Sequence, residues 1–180
     1  MLWQVLNQNL NIIQPYINKN YLQMEKQMIL HPIGIVKSGD DHFSIHLDEQ
    51  YVPHLQNIKG FSHLQIVWLA HLTNNHDRER FIAEKLFKKA PDHMGVFATR
   101  SPQRPNPILI STIYVKTIDV DKGIIYTPFL DAADETPVLD IKPYFKMERV
   151  KNCEVPAWCS HWPKWQEEAH NFPWQDEINF

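Results

Sequence analysis

Arg100, Ser101, Arg104 and Asn106 lie among Pro102, Pro105 and Pro107 in the stretch GVFATRSPQRPNP, residues 95–107. Two guanidinium groups beside a carboxamide can grip a carboxylate or a phosphate through paired, charge-assisted hydrogen bonds. Proline holds φ near about −65°, so prolines spaced through a loop stiffen it and aim the polar side chains between them. A proline-rich turn whose arginines decorate the surface is the plainer reading, and the loop taken alone leaves both open.

A second cluster follows in LDAADETPVLDIKPYF, residues 130–145, where Asp131, Asp134, Glu135 and Asp140 stand beside Lys142 and Tyr144. Its carboxylates can accept hydrogen bonds from a ribose, an amine or an amide, whereas an ordinary Asp-rich turn needs no ligand. Metal chemistry has weaker support. His42 and His46 are four apart on a segment that reads as a strand, where that spacing does not converge two imidazoles, and Cys153, Cys159 and His161 fall short of the four closely spaced ligands of a structural zinc.

The elements that must position these residues read as one domain with tails. A chain of 180 residues can bury one sizeable core. HPIGIVKS and FSIHL (43–47) read as short strands, FSHLQIVWLAH (61–71) as an interior strand ending at His71, and MGVFAT (94–99), ILISTIYVKTIDV (108–120), GIIYTPFL (123–130) and VLDIKPYF (138–145) as four more. The turn at 121–123 signals a hairpin. DEQYVPHLQNI (48–58) reads as a short helical segment interrupted at Pro53, and NNHDRERFIAEKLFKKAPD as an amphipathic helix with Phe81, Ile82 and Leu86 on one face and Pro91 as its stop. Many strands without regular strand–helix alternation predict a mostly β (α+β) fold, a small single-sheet antiparallel β-barrel with one or two flanking helices, and no Rossmann unit. The expected organisation is an N-terminal extension over 1–27, helical in spacing, a β domain over 28–150, and a tail over 151–180 whose Trp158, Trp162, Trp165 and Trp174 pack on the barrel or on a partner.

With 18 basic and 21 acidic side chains, any nucleic-acid contact must come from a local basic cluster. Two cysteines near one end are no disulfide framework, and no apolar run nears the roughly 20 residues that span a bilayer. The expectation is a cytoplasmic protein without membrane association.

The two polar segments, GVFATRSPQRPNPILIS and FLDAADETPVLDIKPY, with PIG at 32–34 and FSHLQIVWLAH, closely resemble the signature of the TsaA-like, or TrmO, family of tRNA threonylcarbamoyladenosine methyltransferases. The resemblance covers roughly residues 31–150. It implies a small β-barrel that binds S-adenosyl-L-methionine at a homodimer interface and methylates N6 of threonylcarbamoyladenosine next to the anticodon of tRNA. Carried onto this chain, it places cofactor contacts at His71, Arg100, Ile110, Phe129, Leu130 and Asp131. Arg104, Asn106 and Lys142, with the Lys88–Lys89 pair, are the expected contacts to phosphate or to the threonyl carboxylate. Asp131, Asp140 and Tyr144 are the candidates for assisting loss of the N6 proton, unranked.

The chain departs from that signature in three places. Leu109 follows PNPI where the family has glycine, Glu135 stands in the DGTP turn where the family has glycine, and residues 37–47 lack the family's PRQ stretch. Glycine permits φ > 0 and close backbone approach, so these positions are expected to reshape the pocket. A methyltransferase with another acceptor, and a protein that binds the cofactor without catalysis, are the rival readings.

Overall fold

The computed structural model describes residues 28–73 and 82–179. Contacts divide the chain into Met1–His31 and Pro32–Phe180, and every strand among the described residues belongs to the second unit. The expected helix over 1–27 lies outside the described residues.

Among the described residues nine strands follow one another: β1 (Gly34–Ser38), β2 (Phe43–Leu47), β3 (His63–Leu69), β4 (Ile82–Glu84), β5 (His93–Gly95), β6 (Ile108–Tyr114), β7 (Thr117–Asp119), β8 (Ile124–Thr127) and β9 (Pro137–Pro143). Successive side chains of a strand point to opposite faces. In β3 this puts Leu64, Ile66 and Trp68 inside, with the residues between them only partly covered. They meet Val36 of β1, Ile45 of β2, Ile113 of β6, Ile125 of β8 and Val138 of β9 in one core, where each buried aliphatic side chain contributes about 1.5–3 kcal/mol.

Seven strands form one sheet in the order β6-β3-β9-β1-β2-β8-β7, and β4 pairs with β5 apart from it. All pairings are antiparallel. Here the structure corrects the expected barrel, because no hydrogen-bond ladder closes the sheet. Its two end strands, β6 and β7, are consecutive segments of one stretch of chain, so neither can pair with the other. The Val115 N–H reaches Ser62 O at 2.8 Å on the β3 side, and the Lys116 N–H reaches Tyr126 O at 2.8 Å on the β8 side. The single strand predicted over 108–120 therefore changes partners at its middle.

The hairpin around 121–123 is present, with Gly123 at φ 68°, a left-handed turn conformation suited to glycine. Asp119 Oδ1 accepts the Lys122 N–H at 3.1 Å, which lowers the Asp119 carboxyl below the usual range. Gly34 answers a different need, since a β-carbon there would stand 2.2 Å from His46 O on the neighbouring strand.

The predicted amphipathic helix is not found where its second half falls, while residues 74–81 lie outside the described residues. Ile82–Glu84 is a strand on β5, with Lys85 N–H bonded to Asp92 O at 2.7 Å. The backbone beyond it bonds to the C-terminal end instead of to itself: Lys88 N–H to Glu177 O at 2.8 Å, Asn179 N–H to Leu86 O at 3.0 Å, and a bridge joining Phe87 and Ile178. Tertiary partners override helical spacing. Among the described residues the helical elements are short 3-10 turns. Glu49–Leu55 is one of them and carries Pro53 inside it. MGVFAT is a strand only as far as Gly95, and Val96–Ala98 is a turn.

The tail supplies the other side of this contact. Phe87 stacks on Trp158 with centroids 5.6 Å apart and meets Trp162 edge-on at 4.8 Å, and Trp162 in turn meets Trp174 at 5.2 Å. Glu177 is buried beneath them, accepting from His161 Nε2 at 2.8 Å and from Trp162 Nε1 at 3.3 Å, with Lys89 Nζ at 3.5 Å. Trp165 alone of the four tail tryptophans is largely exposed. Further along, Gln166 Nε2 donates to Thr112 O on the free edge of β6.

The His161 contact, with the Trp162 and Lys89 groups, holds the Glu177 carboxyl below its ordinary range. A carboxyl depressed by folding adds stability above its unfolded pKa of about 4.3, and that stability is lost as pH falls through the lower folded value. Tail tryptophan fluorescence is therefore expected to hold steady from pH 7 to 5 and to change below about pH 4. Glu177→Gln should abolish that transition, and its persistence in the variant would assign it to another group.

Candidate functional site

The two polar segments are far apart in sequence and share one end of the sheet. The last residue of β3 pairs with the first of β6, Leu69 with Ile108, and Trp68 pairs with Val138 near the start of β9. The end of β1 pairs with the start of β2, which pairs with the end of β8 through Phe43 and Thr127. The 99–107 loop entering β6 and the 128–136 loop leaving β8 are thus brought together by antiparallel register alone. Ala70 N–H to Pro107 O at 2.8 Å and His71 Nδ1 to Thr136 Oγ1 at 3.3 Å tie both loops to the end of β3.

The first loop is braced from within. Thr99 Oγ1 donates to Val96 O at 2.8 Å and accepts the Ser101 N–H at 3.2 Å, and Ser101 Oγ accepts the Gln103 N–H at 3.2 Å. Arg104 Nη2 donates to Val96 O and Thr99 O, both at 3.2 Å. Arg104, expected to meet the acceptor's anionic group, thus spends this nitrogen on loop carbonyls. Arg100 Nη2 donates to Ile110 O, so two of the expected cofactor contacts do come together. Asn106 is exposed, and its carbonyl takes the Ile108 N–H at 2.7 Å.

In the second loop Leu130 is buried, Asp131 is exposed, and Phe129 is 62% exposed with its ring edge-on to Phe43. Asp134 Oδ1 accepts the Ser38 N–H at 2.8 Å, which lowers its carboxyl below the usual range. Lys37 Nζ pairs with the Glu135 carboxylate, and that hydrogen bond raises the Lys37 amine. Thr136, Ser38 and Lys37 were not singled out from the sequence. Thr136 had a signal, standing inside the TPVLD string that carries the resemblance.

Glu135 has φ 61°, the left-handed conformation that glycine adopts freely. A non-glycine side chain is thus held in a conformation that suits glycine. The Lys37 pair anchors it from outside, and a left-handed non-glycine residue costs about 1–2 kcal/mol. Glu135→Gly should therefore change stability by under about 1 kcal/mol, while Glu135→Val should destabilise by about 1–2 kcal/mol. Denaturant midpoints of both variants test this, and equal losses would contradict it.

The other expected residues are not gathered at this end. Asp140 and Lys142 lie along β9 on the outward face, paired to each other at 2.5 Å, with Asp140 Oδ1 also accepting the Ile141 N–H at 2.8 Å. Tyr144 is eight residues beyond Thr136, on the order of 25 Å away at about 3.3 Å per residue, beside His63 at the opposite end. Of the three proton-transfer candidates, Asp131 alone belongs to the loop end. Lys88 and Lys89 turn to the tail, Lys88 Nζ to Gln175 O at 3.1 Å and Lys89 to His161 and Glu177. Cys153 is exposed, Cys159 is buried with Sγ on Pro156 O, and no group of three metal-ligating residues occurs among the described residues.

A mostly β domain whose polar end is built from two loops, without a glycine-rich turn between strand and helix, stands apart from the doubly wound nucleotide-binding proteins. Residues 26–148 match the family described as the tRNA-methyltransferase O N-terminal domain. The chain belongs to that family. It is 36% identical over 123 residues to the tRNA (adenine(37)-N6)-methyltransferase of Escherichia coli, covering 67% of this chain and 52% of that protein. It is 27% identical over 136 residues to a probable S-adenosyl-L-methionine-binding protein of Methanothermobacter thermautotrophicus, covering 68% of this chain and 93% of that one. The chain thus spans about half the length of the bacterial relative and most of the archaeal one. The fold is similar to the crystal structure of TrmO from Pseudomonas aeruginosa, with TM-score 0.55 at 24% identity over 71% of this chain and 61% of that one.

Proposed function

We propose that this chain is an S-adenosyl-L-methionine-dependent methyltransferase acting on N6 of threonylcarbamoyladenosine beside the tRNA anticodon, working in the cytoplasm as a homodimer. The observation that carries the reading is the meeting of both signature loops at one end of the sheet, with Arg100 and Asp131 exposed there. The donor set suits the cofactor. Its carboxylate calls for a guanidinium and its adenine for an apolar wall, which Arg100 and Phe129 supply. The bond from Arg100 to Ile110 O fixes the plane of the guanidinium that a carboxylate would meet.

When bound, S-adenosyl-L-methionine supplies an electrophilic methyl group on a sulfonium. The protein's own contribution is positioning, since in-line displacement gains most from holding nucleophile and methyl on one axis. The braced 99–107 loop gives that rigidity. The acceptor N6 is a urea-type nitrogen, and the Asp131 carboxylate is the group at this end suited to take its proton. Phe97 and Phe129 are both exposed at the loop end, which favours a second subunit closing over it. The archaeal relatives, named only for binding S-adenosyl-L-methionine, favour a second reading in which the acceptor differs.

Calorimetry without added metal should show one cofactor site per subunit, with thermal stabilisation at saturation. Absence of both would remove the proposal.

A further inference from the structure

The opposite end of the sheet holds a group that the proposed methyl transfer does not use. His63 opens β3, and its ring meets Tyr114 of β6 at 5.6 Å and Tyr144 at 6.4 Å, while Ser62 Oγ is 2.9 Å from His63 Nδ1. Tyr144 N–H is bonded to His63 O at 3.1 Å, so the three rings stand side by side on the outward face. Tyr114 is 54% exposed.

Three cations stand close in sequence to these rings. Lys116 stands two residues past Tyr114 and Lys146 two past Tyr144, and Arg149 closes the turn Lys146–Glu148. All three are exposed, and none makes a side-chain hydrogen bond or ion pair among the described residues. The nearby acids are already engaged, since Glu148 Oε2 accepts the Phe145 N–H at 2.6 Å and Asp140 pairs with Lys142. The segment from Lys142 to Lys151 carries four basic residues and one acidic, in a chain whose net charge is −3. It is therefore a local inversion of the molecule's field.

We infer that this end of the sheet, His63, Tyr114 and Tyr144 with Lys116, Lys146 and Arg149, is an RNA-binding surface that holds the phosphate backbone away from the reacting nucleotide. Unpaired Lys and Arg neutralise phosphates and release counterions, and exposed aromatic faces stack on unpaired bases. The outward face of β3 joins this end to the signature loops over seven residues, on the order of 20 Å. A strand of RNA with one nucleotide at the loops can thus reach the cations. Such contacts position without reading sequence. The inference rests on tRNA being the substrate, and it names the part of the protein that holds it.

The test measures binding apart from chemistry. Fluorescently labelled total tRNA is titrated with the full chain across a salt series, using wild type, the triple variant Lys116→Glu/Lys146→Glu/Arg149→Glu, the milder Lys146→Gln/Arg149→Gln, and Tyr144→Ala. The triple variant should bind at least roughly tenfold more weakly, with a salt slope reduced by about 2 for three lost phosphate contacts. The glutamine pair should give a smaller change in the same direction, with thermal unfolding as the check on folding, and Tyr144→Ala should weaken binding without changing the slope. In methylation assays KM for tRNA should rise while kcat and cofactor affinity stay unchanged.

Wild-type affinity and slope in the folded variants would overturn the inference, as would failure of wild type to bind tRNA. Loss of dimer by the same variants would assign the surface to self-association and overturn it too. Wild type that binds tRNA through these residues yet transfers no methyl to it would leave the surface standing and remove the proposed function. Methylation with all variants unaffected would do the reverse.

Discussion

Arg104→Ala should lower kcat/KM on tRNA by at least roughly a hundredfold and weaken cofactor binding along with it. The guanidinium donates to Val96 O and Thr99 O, and hydrogen bonds from a charged donor are worth about 1.5–3 kcal/mol each. Losing both costs the loop about 3 kcal/mol or more of order. Arg100 heads that same loop, so cofactor and acceptor should suffer together. A direct grip on the acceptor's carboxylate gives a different pattern, with substrate binding reduced and cofactor affinity nearly unchanged. Calorimetry with cofactor on the variant, beside steady-state kinetics, separates the two. Lys should rescue in part, because both bonds leave one terminal nitrogen and an ammonium carries donors enough for two carbonyls.

The second large effect concerns the acceptor. tRNA lacking the threonylcarbamoyl group should be methylated at least roughly a hundredfold more slowly than modified tRNA. A site built to meet a polar group is left with unpaired donors when that group is missing, and rejects the analogue strongly. The assay compares tRNA from cells with and without the modification, at matched concentration and salt. Equal rates would remove threonylcarbamoyladenosine as the acceptor and favour the reading in which another group is methylated.

Much of the fold was legible because the alternation in HLQIVWL reports directly which side of β3 is covered, and because glycine marks the turn into β8. The region after residue 82 was not legible. Its apolar spacing suits a helix, and the groups that overrule it, Glu177, Ile178 and Asn179, lie some 90 residues further along. A local pattern carries no record of a partner so distant. For the same reason the open ladder could not be read, since a change of partner at Val115–Lys116 leaves no break in the strand-like run. At the site, the resemblance carries Arg100 and Ile110 over as separate cofactor contacts, and the bond between them has no signal in the sequence. Tyr144 was drawn in by its nearness in sequence to the acidic loop, yet an extended strand carries its residues apart at about 3.3 Å a step.

The covering of β6 has a consequence for solubility. An unpaired strand edge is a template for strands from other molecules, and proteins blunt such edges to avoid fibrous association. Here two successive outward carbonyls, Ile110 O and Thr112 O, are taken by Arg100 and by Gln166 of the tail. The arginine proposed to hold the cofactor is also one of two stoppers on that edge. Any variant that frees both would lose more than a ligand contact, because it uncovers two adjacent docking points for a foreign strand.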